Sequence, residues 1–326
     1  MINIFKKSVA AQLITILLVA LAMWMGRLIH PVPMPAPTTA APLYGLFYLL
    51  FSSVPRVATI LALLLHLGTG ALLNSLLFER KLIHSNMLLP MFMYVVTVSL
   101  IPEGQTLSPT LFVNMLLLWI LHILIATDTH FKLSQHQVFG SAVLLASSTL
   151  FYFPAITMAL PLLIILIFIY KFYNLHDITV LLLGFLAPYI LLFTVTFLNN
   201  HLPMIWGSMQ DNLTQWHLTF TQPDSFEWFS YVLFVVILLI SILFLLGYTG
   251  GQTIIYRNNA TIVGLTMLCS GLLFLYCPHF STETQSFAIP FAYTGSLWLI
   301  NSKNKPWILN AILTLWVIIS VVNCIV

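Results

Sequence analysis

The chain has 326 residues, of which 60% are apolar and only 6% charged, with a net charge of +3. A soluble domain carries about 25% charged residues, so these few charges cannot solvate a protein of this size, whereas a bilayer stabilises an apolar exterior. The composition therefore predicts a membrane protein. The basic residues are spread over short loops and form no basic patch, which excludes nucleic acid as a partner.

Eleven apolar segments approach the length of about 20 residues that a bilayer core requires. They cover residues 8–29, 55–78, 85–101, 109–126, 139–153, 155–170, 178–198, 229–247, 260–277, 287–300 and 307–325. The first follows two lysines as in a signal peptide, but its apolar run exceeds the usual 7–15 or so residues, so a retained span is expected. The sequence predicts an all-α, polytopic protein with a single transmembrane domain over residues 1–326.

The stretch 139–170 decides the number of spans, because as one helix it would be about 48 Å long, yet it is short for two. Pro154 and Pro161 interrupt it, as a tight turn would. With two spans here and a cytoplasmic N-terminus, nine Lys and Arg residues are cytoplasmic and only Arg27 and Arg56 lie outside. The positive-inside rule therefore favours eleven spans, since a single span would move four of the nine outside.

The outer loops are then residues 30–54, 102–108, 199–228 and 278–286. The first begins with alternating prolines and continues with a short apolar stretch suited to the membrane interface. The loop 199–228 is the longest in the protein. Because the cytoplasmic loops are short, we expect function at the outer face.

Glu103 lies between Pro102 and Gly104 in the turn between the spans 85–101 and 109–126, and it is the only acid at that junction. A carboxylate at a membrane boundary can act as a general base, bind a cation, or simply be solvated. Glu103 is the candidate catalytic residue.

Arg27 and Arg56 flank the first outer loop, on the side where positive charge is disfavoured. Two guanidinium groups there can hold a lipid phosphate by bidentate hydrogen bonds, or they can snorkel to bulk phospholipid. His30 and His201, on outer loops, complete the candidate ligand-binding set.

The ten histidines and three cysteines show no metal-binding spacing, so no metal site is predicted, and the cofactor is left unknown. His66, His122, Asn74 and Asn114 lie within spans, where polar groups serve function or hydrogen-bond between helices. No charged residue lies near the middle of a span, which argues against a proton-coupled transporter or an ion pump.

Between residues 86 and 200, the order SLIPEG, TLFVNMLLLWILHILIA, VFGSAVLLASSTLFYFPAITMALPLLIILIFIY and LLLGFLAPYILLFTVTFLNN resembles the middle of GT-C-type membrane glycosyltransferases. In PLYGLFYLL, MLLPMFMYVVTVSLIPE and LGFLAPYILL the chain is also similar to a family of Bacteroidota inner-membrane proteins. The resemblance covers about the first 200 residues. It implies a GT-C-like arrangement and a location in the bacterial inner membrane.

GT-C enzymes carry a catalytic acid in the first outer loop, and residues 30–54 contain none. The resemblance places Glu103 where such enzymes often have another acid. One function left open is a transferase that uses a polyprenyl-phosphate-linked sugar at the outer face. The other is a catalytically degenerate GT-C-like scaffold that binds lipid-linked intermediates or envelope partner proteins, with a transporter third.

The distribution of basic residues predicts which loops leave the cytoplasm. A reporter active only outside the cytoplasm should give signal when fused after Asn212 and none when fused after Lys303. The reverse pattern would contradict the eleven-span arrangement.

Overall fold

The structure is a computed structural model, and it describes residues 5, 8–37, 41–83, 87–100, 102–125, 133–171, 174–214, 227–276, 285–301 and 306–325. Throughout these ranges the regular structure is helical. The helices are α1 Val9–Ile29, α2 Pro42–Phe51, α3 Pro55–Glu79, α4 Leu89–Val98, α5 Pro109–Leu124, α6 Gln135–Phe151, α7 Ala159–Ile164, α8 Leu175–Leu198, α9 Leu202–Thr214, α10 Glu227–Thr249, α11 Ile254–Tyr276, α12 Ala288–Asn301 and α13 Pro306–Ile325.

Four helices in the described ranges are long and apolar enough to cross a membrane: α1, α3, α8 and the Val232–Thr249 part of α10. Shorter apolar helices accompany them, including α2, α4 and α5. The prediction of an all-α protein with membrane-length apolar helices is thereby confirmed. The count of eleven spans and the GT-C-like arrangement stay predictions.

Local sequence explains where several helices begin. Pro42, Pro55 and Pro109 are the first residues of α2, α3 and α5, where proline loses no hydrogen bond and its fixed φ suits the helix. Helix α6 begins instead with a capping box, in which the side chains of Ser134 and Gln137 each bond the other's backbone. These signals place the helix starts at the ends of the apolar segments.

The centre of the protein is the pair formed by α4 and α12, which pack against each other. Every residue of α4 is buried, and so is every residue of α12 from Ala288 to Leu299. Helices that are apolar on all sides belong in such a position. At Gly295 of α12 an added Cβ would lie 2.7 Å from the terminal methyl of Met93, so the two helices approach closely where glycine removes the side chain.

Contacts along α4 define the directions of its neighbours. Helix α1 runs parallel to it, because Gln12 accepts a hydrogen bond from the backbone N–H of Leu88 at one end (2.7 Å) and Trp24 donates to Ser99 at the other (2.7 Å). Helix α3 runs the opposite way: its His66 lies beside Tyr94, and an added Cβ at Gly70, further along α3, would meet Met91. The directions alternate as the predicted topology requires.

The stretch 139–170 folds back on itself. Phe151, at the end of α6, stacks on Phe112 near the start of α5, with ring centroids 4.7 Å apart. The hydroxyl of Tyr170 donates to the carbonyl of Leu124, at the opposite end of α5. The chain therefore returns between residues 151 and 170, through a 3-10 turn (Phe153–Met158), α7 and a π turn (Ile165–Ile169).

Helix α8 is peripheral and leans on α6. An added Cβ at Gly184 would lie 2.7 Å from the carbonyl oxygen of Phe139, and the hydroxyls of Tyr189 and Thr149 are 2.6 Å apart. Pro188 lies inside the helix, where it removes one backbone donor. Most of the remaining apolar side chains of α8 are exposed, as suits a surface that faces lipid.

The close approach at Gly184 predicts a stability effect. Gly184→Val should lower the free energy of unfolding by about 1–3 kcal/mol, because the added side chain overlaps the backbone of α6. Gly68→Ala is the control, since a Cβ at Gly68 meets no atom within 4 Å. Its effect should be neutral or stabilising by up to about 1 kcal/mol. Unfolding in detergent micelles, followed by circular dichroism, measures both, and equal midpoints for Gly184→Val and the parent would contradict the packing.

Candidate functional site

The turn that carries Glu103 packs directly against α4 and the segment before α12. Glu103 is the second residue of the 3-10 turn Pro102–Gln105, and its side chain lies outside what the structure describes. A Cβ added to Gly104 would lie 2.4 Å from the carbonyl oxygen of Val98 and 2.7 Å from Nε2 of Gln285. Only glycine fits here, so the backbone beside Glu103 is held in one position.

Gln285 accepts hydrogen bonds from residues at the start of α5. Its side-chain oxygen accepts from the hydroxyls of Thr110 (2.6 Å) and Ser108 (3.3 Å). Its backbone carbonyl accepts from Nδ2 of Asn114 (3.0 Å). One residue thus joins the chain ahead of α12 to α5 over the first two turns of that helix.

A second set of contacts joins α1, α3 and α4 beneath the same turn. The indole N–H of Trp24 donates to Ser99 Oγ (2.7 Å), and Nε2 of Gln105 donates to the carbonyl of Ser99 (3.1 Å). Nδ1 of His66 lies 3.4 Å from the hydroxyl of Tyr94. The Trp24 and His66 rings meet edge to face, with centroids 5.9 Å apart.

These side chains form one buried group that we call the outer polar cluster. Its members are Trp24, His66, Tyr94, Ser99, Gln105, Ser108, Thr110, Asn114 and Gln285, all of them buried. None carries a full charge when histidine is neutral. The cluster is therefore a neutral hydrogen-bonding network that ties together five segments of the fold, a role that suits the low dielectric of a bilayer.

Several polar atoms of the outer polar cluster can form further hydrogen bonds. His66 Nε2, Asn114 Oδ1 and Gln285 Nε2 are buried without a hydrogen-bond partner among the described residues. Leaving a polar atom unpaired costs about 1–3 kcal/mol, and buried groups of this kind typically bind ordered water.

The structure places the other predicted site residues apart from the outer polar cluster. Arg27 lies half-buried in the last turn of α1, next to the exposed His30 that ends the helix. Arg56 is exposed in the first turn of α3, and His201 is exposed between α8 and α9. Among the described residues, no hydrogen bond or ring contact joins any two of these four side chains.

Tyr44 of α2 connects the first two outer loops. Its hydroxyl lies 2.9 Å from the carbonyl oxygen of Pro35 and 3.1 Å from that of Leu107, so its single proton is shared between the two carbonyls. Burial, followed by the neighbouring Tyr48, raises the pKa of Tyr44 well above its usual value, and the group stays a neutral donor. The region that carries Arg27 and Arg56 is thereby anchored to the turn of Glu103.

Sequence reasoning identified part of this arrangement. Asn114 was expected to hydrogen-bond between segments, and it does. Gln285 gave no signal, because it precedes a span by two residues and its partners in α5 are 171–177 positions away. Trp24 and Gln105 were also missed, since an aromatic residue near a span end and a polar residue in a loop are ordinary there.

In the part of the chain that the structure describes, the regular structure is helical, with four membrane-length apolar helices and a buried neutral polar network at one end. The described residues contain no group of three His, Cys, Asp or Glu side chains placed to hold a metal ion. Comparisons with protein-family models, curated proteins and solved structures found no match to the chain. The GT-C and Bacteroidota resemblances therefore stay expectations from the sequence.

The hydrogen bonds to Gln285 predict that its replacement by leucine, which has nearly the same size, lowers the stability of the protein. Gln285→Leu should lower the free energy of unfolding by about 1–3 kcal/mol, because the hydroxyls of Thr110 and Ser108 lose their shared acceptor in a buried site. Thr110→Val in the same background should then cost less than it does alone, since the two side chains share one bond. Gln135→Leu, at an exposed position at the start of α6, is the control. Additive effects of Gln285→Leu and Thr110→Val would contradict the shared bond.

Proposed function

We propose that this chain is a multipass protein of the bacterial inner membrane that binds phosphate-bearing lipids, such as polyprenyl phosphates, at its outer face. In this proposal it is a catalytically inactive, GT-C-like scaffold of cell-envelope biogenesis. The observation that carries the proposal is the placement of Arg27 and Arg56 at one end of two packed helices, beside an exposed apolar helix.

The two arginines share that end because α1 and α3 pack against each other in opposite directions. Arg27 is two residues from the end of α1, and Arg56 is the second residue of α3. Arg27 is half-buried and Arg56 is exposed. At a bilayer interface they are well suited to a phosphate, which guanidinium binds with paired hydrogen bonds.

Helix α2 supplies an apolar surface next to the arginines. It packs on α3 and α6 and buries Tyr44, while Leu49 and Leu50 are 75% and 69% exposed. A short helix with such a face lies in the plane of the interface. A lipid whose phosphate meets the arginines can lay its chain along these leucines, which favours a lipid over a soluble phosphate as the ligand.

The surroundings of the Glu103 turn support the scaffold over the transferase. The first outer loop has no acid, and the turn backbone is packed among neutral, buried groups. A general base needs access to the hydroxyl from which it takes a proton. The outer polar cluster instead fills the space beneath the turn with protein side chains.

Lipid binding can be tested at Arg56. Arg56→Gln should weaken binding of a polyprenyl phosphate by about 1.5–3 kcal/mol, the contribution of a charge-assisted hydrogen bond. Arg257→Gln is the matched control, because Arg257 is an exposed arginine at the start of α11, at the other end of the bundle. Titration into protein in nanodiscs gives the dissociation constants. Equal binding by Arg56→Gln and the parent would contradict a phosphate contact of Arg56. The side chain would then only extend to the phosphates of bulk lipid.

A substitution at Glu103 distinguishes the scaffold from the transferase. For a scaffold, Glu103→Gln should change stability by no more than about 0.5 kcal/mol and complement a deletion strain fully. For a transferase, the same variant should reach normal protein levels while activity falls by roughly 10²–10⁴. The second result would replace the scaffold proposal by the transferase, whatever Arg56→Gln does.

A further inference from the structure

A groove between α3 and α5 lies at the end of the bundle opposite to Arg27 and Arg56. Its volume is about 160 Å³, which is below the roughly 300–1,000 Å³ of a typical small-molecule pocket and too small for a whole lipid. The lining comes from Leu72, Ser75, Leu76, Glu79, Leu118, Trp119 and His122. This size suits the headgroup of a lipid.

The lining changes from apolar to polar along the groove. On α3, residues 72, 75, 76 and 79 follow the helical spacing that puts them on one face, with the leucines first and Glu79 at the end of the helix. On α5, Leu118 is buried, whereas Trp119 is 48% exposed and His122 lies one turn further on. An amphiphile therefore fits with its chain on the leucines and its headgroup at Glu79.

The polar end of the groove carries the carboxylate of Glu79, for which no ion pair is found among the described residues. Ser75 Oγ donates to Oε1 of Glu79 (2.8 Å), and within the described residues this is the only polar contact of the Glu79 side chain. The Trp119 and His122 rings meet edge to face beside it, with centroids 6.0 Å apart. A carboxylate, a hydroxyl and an exposed indole together bind an ammonium group, through charge, hydrogen bonds and the face of the ring.

A cation borders the groove as well. Nη2 of Arg80 donates to the backbone carbonyl of His122 (3.2 Å), which holds the guanidinium at the junction of α3 and α5. Its remaining N–H groups can meet a phosphate. The carboxylate and the guanidinium are on neighbouring residues, so the site is complementary to a headgroup that carries a phosphate and a nearby ammonium.

We propose that the groove between α3 and α5 binds a phospholipid whose headgroup ends in a primary ammonium, such as phosphatidylethanolamine. The ammonium lies at Glu79 and Trp119, the phosphate at Arg80, and the start of the acyl chain on Leu72 and Leu76. This site is separate from the one proposed for phosphate-bearing lipids at the other end of the bundle, and the two can fail independently.

Competition between headgroups tests the proposal. The protein is placed in nanodiscs with equal amounts of phosphatidylethanolamine and phosphatidylcholine that carry the same acyl chains, and the lipids that stay bound are counted by native mass spectrometry. The parent should retain phosphatidylethanolamine preferentially, because a primary ammonium donates hydrogen bonds to Glu79 and a quaternary one cannot. Glu79→Gln should reduce this preference about tenfold, as expected for one charge-assisted hydrogen bond.

Two further variants keep the test specific. Trp119→Leu removes the indole from an exposed position and should lower the retention of both lipids, because the ring face attracts either ammonium group, while the preference set by Glu79 persists. Asp177→Asn, in the first turn of α8, removes a negative charge outside the groove and should leave the preference unchanged. Equal retention of the two lipids by the parent would overturn the proposal. So would equal loss in Glu79→Gln and Asp177→Asn, or a phosphatidylglycerol competitor retained as well as phosphatidylethanolamine.

Discussion

The fold depends on the hydrogen bonds that the side chain and the backbone carbonyl of one residue, Gln285, accept. A bilayer offers no water to replace a lost hydrogen bond, so polar groups between apolar helices must be satisfied by the protein. Gln285 meets Ser108, Thr110 and Asn114 at the start of α5, and its Nε2 faces the glycine of the adjacent turn. These contacts locate the start of α12, which packs against α4. The central helix pair is aligned by polar contacts at its end, while apolar packing supplies its burial.

Much of the helical architecture could be predicted, because a membrane span has a length and a composition that a sequence displays. The expected spans 8–29 and 55–78 agree closely with α1 and α3, and the short interfacial stretch became α2. The expected span 85–101 contains a helix of only ten residues, Leu89–Val98. The polar residues that follow it belong to a packed turn. Apolar composition marks where a helix can run, but tertiary contacts decide where it stops.

The candidate site was harder to predict, because its residues come together only in three dimensions. Glu103 was chosen by its position at a junction, whereas the described contacts of the turn and the start of α5 are made mainly by amides and hydroxyls. Such side chains are common in loops and carry no spacing signal. Charged residues are more informative in this chain, since there are few of them. Arg27, Arg56 and Glu79 all lie at helix ends.

The long separation between α4 and α12 has a consequence for synthesis in the cell. Thr110 and Gln285 are 175 residues apart, and at translation rates of about 5–20 residues per second that distance takes roughly 10–35 s. Throughout this interval α4, which is buried on every side in the finished protein, lacks α12, the helix against which it packs. Helix α8, most of whose apolar side chains are exposed, packs on α6, which is synthesised before it, so its partner is present as soon as it emerges. The centre of the bundle is therefore among the last parts to be completed.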